Sequence, residues 1–129
     1  MTTDNATHAQ LTTIAYFPEH FFLENLAVRA DGSILVTVLN HKQLWYVPAP
    51  ATELPVDPVL VHTFESLAMG IVEAEADVCY VCTFGPATVE RVDLRDWSPG
   101  APANVTGVLT FEQSGAVLNG ACLIAHASR

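Results

Sequence analysis

Basic residues are scarce in this chain. Five Lys and Arg stand against fourteen Asp and Glu, for a net charge of −9. So few cations cannot form a face that neutralises a run of phosphates, which argues against nucleic acid as a partner. Long apolar runs are missing too. No stretch approaches the roughly 18 residues of a membrane span, so no membrane partner is expected. The three Cys are too few and odd in number for a disulfide framework. Cys79-Tyr80-Val81-Cys82 has CxxC spacing, but it sits in a strand-like run, where residues three apart point to opposite faces. With no second CxxC, these thiols read as buried structural groups and not as zinc ligands. Sustained 3.6-residue periodicity is also absent, which argues against an α-rich fold. At most one helical turn would fit, at Glu65–Met69. Residues 1–13 are polar and lack a basic-then-apolar leader; they read as the flexible tail of a cytoplasmic protein.

What the chain does have is β-branched and aromatic residues in short runs. Leu23 to Val38 reads as strand, tight turn and strand, with Asp31-Gly32 as the turn, because both residue types tolerate positive φ. Gln43–Val47 is a third strand. The proline-rich stretch 48–58 cannot continue a sheet interior, and Val59–Phe64 is a fourth strand. The pattern then restarts. Gly70–Ala74 matches Leu26–Ala30, Val78–Thr83 matches Ile34–Leu39, Val89–Asp93 matches Leu44–Pro48, and Val105–Phe111 matches the fourth strand. A third start falls at Leu118-Asn119-Gly120.

Four strands per unit, with a period in the mid-forties, predict an all-β fold of β-propeller blades. The expected blades are 24–64 and 70–111, with a third beginning over 118–125. About two blades of a probable six-bladed propeller would then be present. Such an arrangement exposes edge strands and inter-blade faces, and self-association through the open edges is expected.

The order and spacing of these motifs resemble the N-terminal third of the regucalcin/gluconolactonase-like propellers, also called the senescence-marker-protein family, and their fungal members most of all. The matching residues are Glu24-Asn25-Leu26-Ala27-Val28, Asp31-Gly32, Ile34–Thr37, Leu44–Val47, Gly70–Glu73 and Leu118-Asn119-Gly120. The resemblance implies a six-bladed propeller with one divalent metal (calcium, zinc or magnesium) near the mouth of the central channel. It implies metal ligands at Glu24 and Asn119, although Glu-Asn-Leu replaces the family's Glu-Gly-Pro. The family's later Asp, to which the general-base role is attributed, has no counterpart here, nor has its second-blade Asn. The chain alone is therefore expected to be inactive.

Hard divalent ions prefer carboxylate and amide oxygens. A metal so held could polarise a lactone carbonyl and acidify bound water, with a base completing the reaction. The implied function of the complete protein is thus metal-dependent hydrolysis of a lactone or ester, with a small-molecule substrate. One alternative is a fungal biosynthetic enzyme on the same scaffold that promotes a metal-independent, hetero-Diels–Alder type cycloaddition by positioning. Another is a non-catalytic binding module. Glu24 can equally be a strand-end acid, and Asn119 a turn residue. His41, in the turn after the second strand, is a substrate-binding candidate if it faces the channel mouth. Glu73, Glu75 and Asp77 share one face of an extended segment and read as solvated. His62 reads as a surface or edge residue, and Trp45 and Trp97 as blade packing.

Overall fold

A computed structural model describes residues 9–49, 53–113 and 115–124. The fold is all-β, and no helix occurs among the described residues. None is therefore long and apolar enough to cross a membrane. The strands are β1 (Leu23–Val28), β2 (Ile34–Val38), β3 (Gln43–Val47), β4 (Val59–Thr63), β5 (Leu67–Glu75), β6 (Val78–Phe84), β7 (Ala87–Asp93) and β8 (Asn104–Phe111). They form two antiparallel sheets, each a simple meander: β1-β2-β3-β4 and β5-β6-β7-β8. These are propeller-blade-like units. Glu65–Met69 forms no helical turn; Leu67–Met69 already belong to β5, where pairing to β6 satisfies their backbone groups.

The two sheets repeat each other in register as well as in order. Ile34 pairs with Val47, and 45 residues on, Cys79 pairs with Val92. Ala27 pairs with Leu35, and 45 residues on, Val72 pairs with Tyr80. The irregularities coincide too. The bulge between Leu23 and Asn25 recurs after Ala68, and the one between Leu44 and Trp45 recurs between Val89 and Glu90. The structure thereby corrects the sequence match by one residue: Leu26 corresponds to Ile71, not Gly70, and Ile34 to Cys79, not Val78. A one-residue slip exchanges the two faces of a strand. In β2 and β6 both faces are largely apolar, so hydropathy does not reveal the slip.

The β1–β2 turn also differs in detail from the expected one. Arg29 N–H donates to Ser33 O (2.8 Å) and Gly32 N–H to Arg29 O (2.9 Å). Gly32 has φ +86°, whereas Asp31 does not adopt positive φ. This is a three-residue loop closed by a left-handed glycine. Asp31 instead accepts from the Ser33 N–H at 2.9 Å and from its hydroxyl at 2.5 Å, which lowers the Asp31 pKa. Asp77, 45 residues after Gly32, takes the left-handed conformation in the second sheet (φ +64°).

The core is the seam between the sheets. Leu35 and Leu44 from the first sheet meet Ile71, Cys79, Val81 and Val92 from the second. Each such side chain contributes about 1.5–3 kcal/mol by leaving water. Tyr46 crosses the seam to meet Trp97 edge-on at 5.3 Å, and Arg29 crosses it to pair with Asp77 at 2.5 Å. On the opposite face of the first sheet, Phe17 and Phe21 each pack on Trp45, with ring centroids 5.8 Å apart. Both tryptophans are thus packing residues.

The tail expected at 1–13 falls mainly on residues 1–8, which lie outside the described residues; 9–13 are exposed and without regular structure. Of the third unit expected at 118–125, residues 118–124 form no strand, and residue 125 lies outside the described residues. A single bridge, Phe84 to Val117, ties this segment to the second sheet.

Candidate functional site

Glu24 occupies the bulge of β1. From Leu23 to Asn25 the strand takes two steps while β2 takes one, from Val38 to Thr37, so Glu24 has no cross-strand partner. Bulges re-aim side chains in this way. The adjoining Asn25 N–H donates to Thr37 Oγ1 (3.2 Å), and the Thr37 hydroxyl donates to the Met69 carbonyl (2.7 Å). Met69 is the counterpart of Glu24, 45 residues on. Thr37 is fully buried, so this hydroxyl ties the bulge of β1 to the bulge of β5.

Gly70 makes the next connection. A Cβ at this position would overlap the carbonyl oxygen of Asn119 and the Cα of Gly120. Only glycine lets segment 118–120 approach β5 so closely. β1, β5 and the Asn119-Gly120 segment therefore follow one another in space. Glu24 is half-buried, and Asn119 is exposed.

Val38 pairs with both Leu23 and Gln43, so the turn bearing His41 stands at the same end of the first sheet as Glu24. His41 is exposed, and its ring lies 4.2 Å from that of Phe21. The neighbouring Asn40 clamps the incoming segment. Its Oδ1 accepts from Phe22 N–H (2.9 Å), and its Nδ2 donates to His20 O (2.6 Å).

Glu24 also borders a cleft of about 250 Å³. Leu26, Ile34, Val36 and Val47 form its apolar wall, with Ile14 and Phe17 from the lead-in segment opposite.

Oxygen donors at Glu24 and Asn119 suit a hard divalent ion in kind, but not in number. Such ions take six or more oxygens, several of them usually from protein. No cluster of three or more His, Cys, Asp or Glu that could hold a metal occurs among the described residues. One carboxylate and one amide do not by themselves make the implied metal centre.

The remaining titratable candidates have structural roles. Cys79 and Cys82 are both buried and unbridged, and burial pushes the Cys79 thiol up to about 12. Burial thus disfavours the reactive thiolate at neutral pH. Glu73, Glu75 and Asp77 do not share one face, because the pairing shifts between Glu73 and Glu75 and Asp77 turns to Arg29. His62 is half-buried beside Phe64, in a recess that Glu65 and Glu90 also line. Burial lowers its pKa, with Glu90 opposing.

Sequence reasoning passed over Thr37 and Gly70. A lone Thr within Ile34–Val38 was the available signal for the first. For the second, the signal was a glycine inside a strand-like run, which often marks a bulge or a close backbone approach, although the neighbour that demands it lies 49 residues away.

No family model matches this chain, no curated protein matches it, and no solved structure matches it.

Proposed function

We propose that this chain belongs to a propeller-type enzyme acting on a small organic molecule, with its site where β1, β5 and segment 118–120 converge. The observation that carries this reading is the succession of inner segments joined by the Thr37–Met69 hydrogen bond and the Asn119–Gly70 contact. Backbone segments from distant parts of the sequence are thereby brought side by side, and Glu24 is the carboxylate on the first of them.

The chemistry best supported is cyclisation by positioning, as in a hetero-Diels–Alder reaction. It needs shape and hydrogen-bond donors, not a metal or a base. Glu24 is an acceptor that would fix a substrate hydroxyl, and the exposed side chains of Leu23 and Leu26 on the same strand supply apolar surface. Glu24 would hold a hydroxyl of the substrate and orient it; no proton need leave the carboxylate's reach.

A second reading is metal-dependent opening of a lactone or ester. Its support is that Glu24 and Asn119 both belong to the converging segments. A divalent ion would there supply Lewis acidity, and further ligands and a base would be required beyond these two residues.

The two readings separate in one experiment. The protein and its Glu24→Gln variant are analysed for bound metal by mass spectrometry. Both are then assayed with and without excess chelator, against a panel of sugar and aryl lactones and against a conjugated diene–dienophile pair. Chelator-resistant cyclisation that falls at least tenfold in Glu24→Gln supports the first reading. Stoichiometric metal lost in Glu24→Gln, with chelator-sensitive lactone opening, supports the second. No bound metal, no turnover, and no change in tryptophan fluorescence with either substrate class contradicts both.

A further inference from the structure

We infer that the cleft between the lead-in segment and the first sheet binds a small apolar amine. Its ammonium group pairs with the Glu24 carboxylate, and its hydrocarbon body lies between Phe17 and the wall of Leu26, Ile34 and Val36. The inference rests on the reading of Glu24 as the residue that faces a small organic molecule, but not on the reaction proposed for it.

Both walls of the cleft lie within residues 14–47, so it is built from one stretch of this chain. The lead-in segment crosses the outward face of the first sheet and is fastened at both ends. At one end Ile14 O accepts from Val56 N–H (2.8 Å), beside the Ala15–Val56 bridge. At the other, Phe22 O accepts from Leu39 N–H (2.9 Å), and Asn40 holds Phe22 and His20. Between the fastenings, Phe17 and Phe21 rest on Trp45. The gap under the segment is thus set by fixed backbone, which is what a preformed site requires.

The second sheet shows what a filled version of this face looks like. There the equivalent residues, Ile71, Cys79, Val81 and Val92, pack against the first sheet and are at most 7% exposed. In the first sheet the lead-in segment covers Val36 and Val47 to a similar degree, but Leu26 remains 54% exposed and Leu23 48% exposed. It therefore covers one part of the face and leaves about 250 Å³ beside the rest. That volume lies just below the ~300–1,000 Å³ of sites for drug-sized ligands, so the occupant is smaller than these. A hydrocarbon body against the exposed leucines removes apolar surface from water.

Charge selects the amine. Among the described residues, Glu24 is the one charged group lining the cleft, and no Lys, Arg or His lines it. The bulge leaves Glu24 without a cross-strand partner, and it joins none of the ion pairs among the described residues. The Oδ1 of Asn25, which also lines the cleft, already accepts from Leu26 N–H (2.8 Å). An anion would be repelled by the carboxylate. A hydroxyl can be held there, but an ammonium makes the stronger, charge-assisted bond. The net charge of −9 adds to the attraction for a cation.

The test titrates the full chain with phenethylamine, its neutral isostere phenethyl alcohol, and phenylacetate, followed by amide chemical shifts. The amine should shift the amides of Leu23, Glu24, Leu26 and Ile34 saturably, with a Kd below about 1 mM. The alcohol should bind about fivefold more weakly, and phenylacetate should not bind. Glu24→Gln should bring the amine down to the affinity of the alcohol. Ala15→Leu and Ile34→Phe fill the cleft from opposite walls, and whichever keeps the wild-type amide spectrum elsewhere should abolish binding of both. No saturable shift with the amine, equal affinity for all three probes, or an amine affinity unchanged in Glu24→Gln would overturn the inference. So would binding that survives in a filled variant. Amine binding without turnover upholds this site and counts against the proposed reaction, whereas turnover without amine binding does the reverse.

Discussion

The two sheets share a skeleton and differ in what they place on it. Strand order, register and both bulges repeat, yet equivalent positions carry Glu24 and Met69, Asn25 and Gly70, Thr37 and Cys82, Leu35 and Tyr80. The skeleton is what hydrogen bonding and alternation dictate. The differences record what each strand packs against. Leu35 fills a seam that exists, while Tyr80 faces outward. Thr37 bonds to β5, while β5's own Gly70 makes room for the next segment.

Substitutions at equivalent positions should therefore have unequal effects. The largest difference is expected for Leu44→Ala against Val89→Ala. Leu44 is fully buried in the seam, and its truncation should cost about 2–5 kcal/mol. Val89 is half-buried, and its loss should cost less than about 1.5 kcal/mol. Urea denaturation measures both; equal costs would mean that the sheets do not pack through these faces.

Thr37→Val should come next. It removes the partner of Asn25 N–H and of the Met69 carbonyl, at about 1–3 kcal/mol. Cys82→Val, at the counterpart, breaks no such link and should be nearly neutral. Gly70→Ala should displace segment 118–120 and raise its amide exchange, because the backbone of Asn119 and Gly120 cannot yield as a flexible side chain does. Asn25→Ala, at the equivalent position, should leave that segment's exchange unchanged. Arg29→Leu should cost about 1 kcal/mol. Arg29 is largely buried, but Asp77 is half in water, so breaking their pair leaves a carboxylate that solvent can serve.

The smallest effect is pH dependence from His62. Burial lowers its folded pKa below the ordinary 6.5. The unfolded chain thus takes up the proton first, and stability falls as pH drops below about 6.5. Melting temperatures from pH 8 to 5 should decline less steeply in His62→Leu than in the wild type.

Much of the fold was legible because alternation and turn chemistry are local. Asp31-Gly32 marked its hairpin, although only Gly32 adopts positive φ. The four-strand repeat was visible in the spacing of apolar runs. The one-residue phase was not, since Ile34–Val38 and Val78–Thr83 are apolar on both faces, and only pairing partners fix the register. Glu65–Met69 misled because the five residues hold helix formers, whereas pairing with β6 decided their state. The candidate site was legible only in part. Glu24 interrupts an apolar strand and so draws attention. Thr37 and Gly70 matter through neighbours 32 and 49 residues away, which no local pattern encodes.

Proton–proton contacts in solution test the central claim, the packing of β1–β4 against β5 through a shared inner region, most directly. Nuclear Overhauser cross-peaks are expected between the Thr37 side chain and the Met69 and Gly70 amides, together with cross-peaks between the Tyr46 and Trp97 rings. A folded chain that shows the strand pairings within each sheet but neither set of cross-peaks would contradict the account.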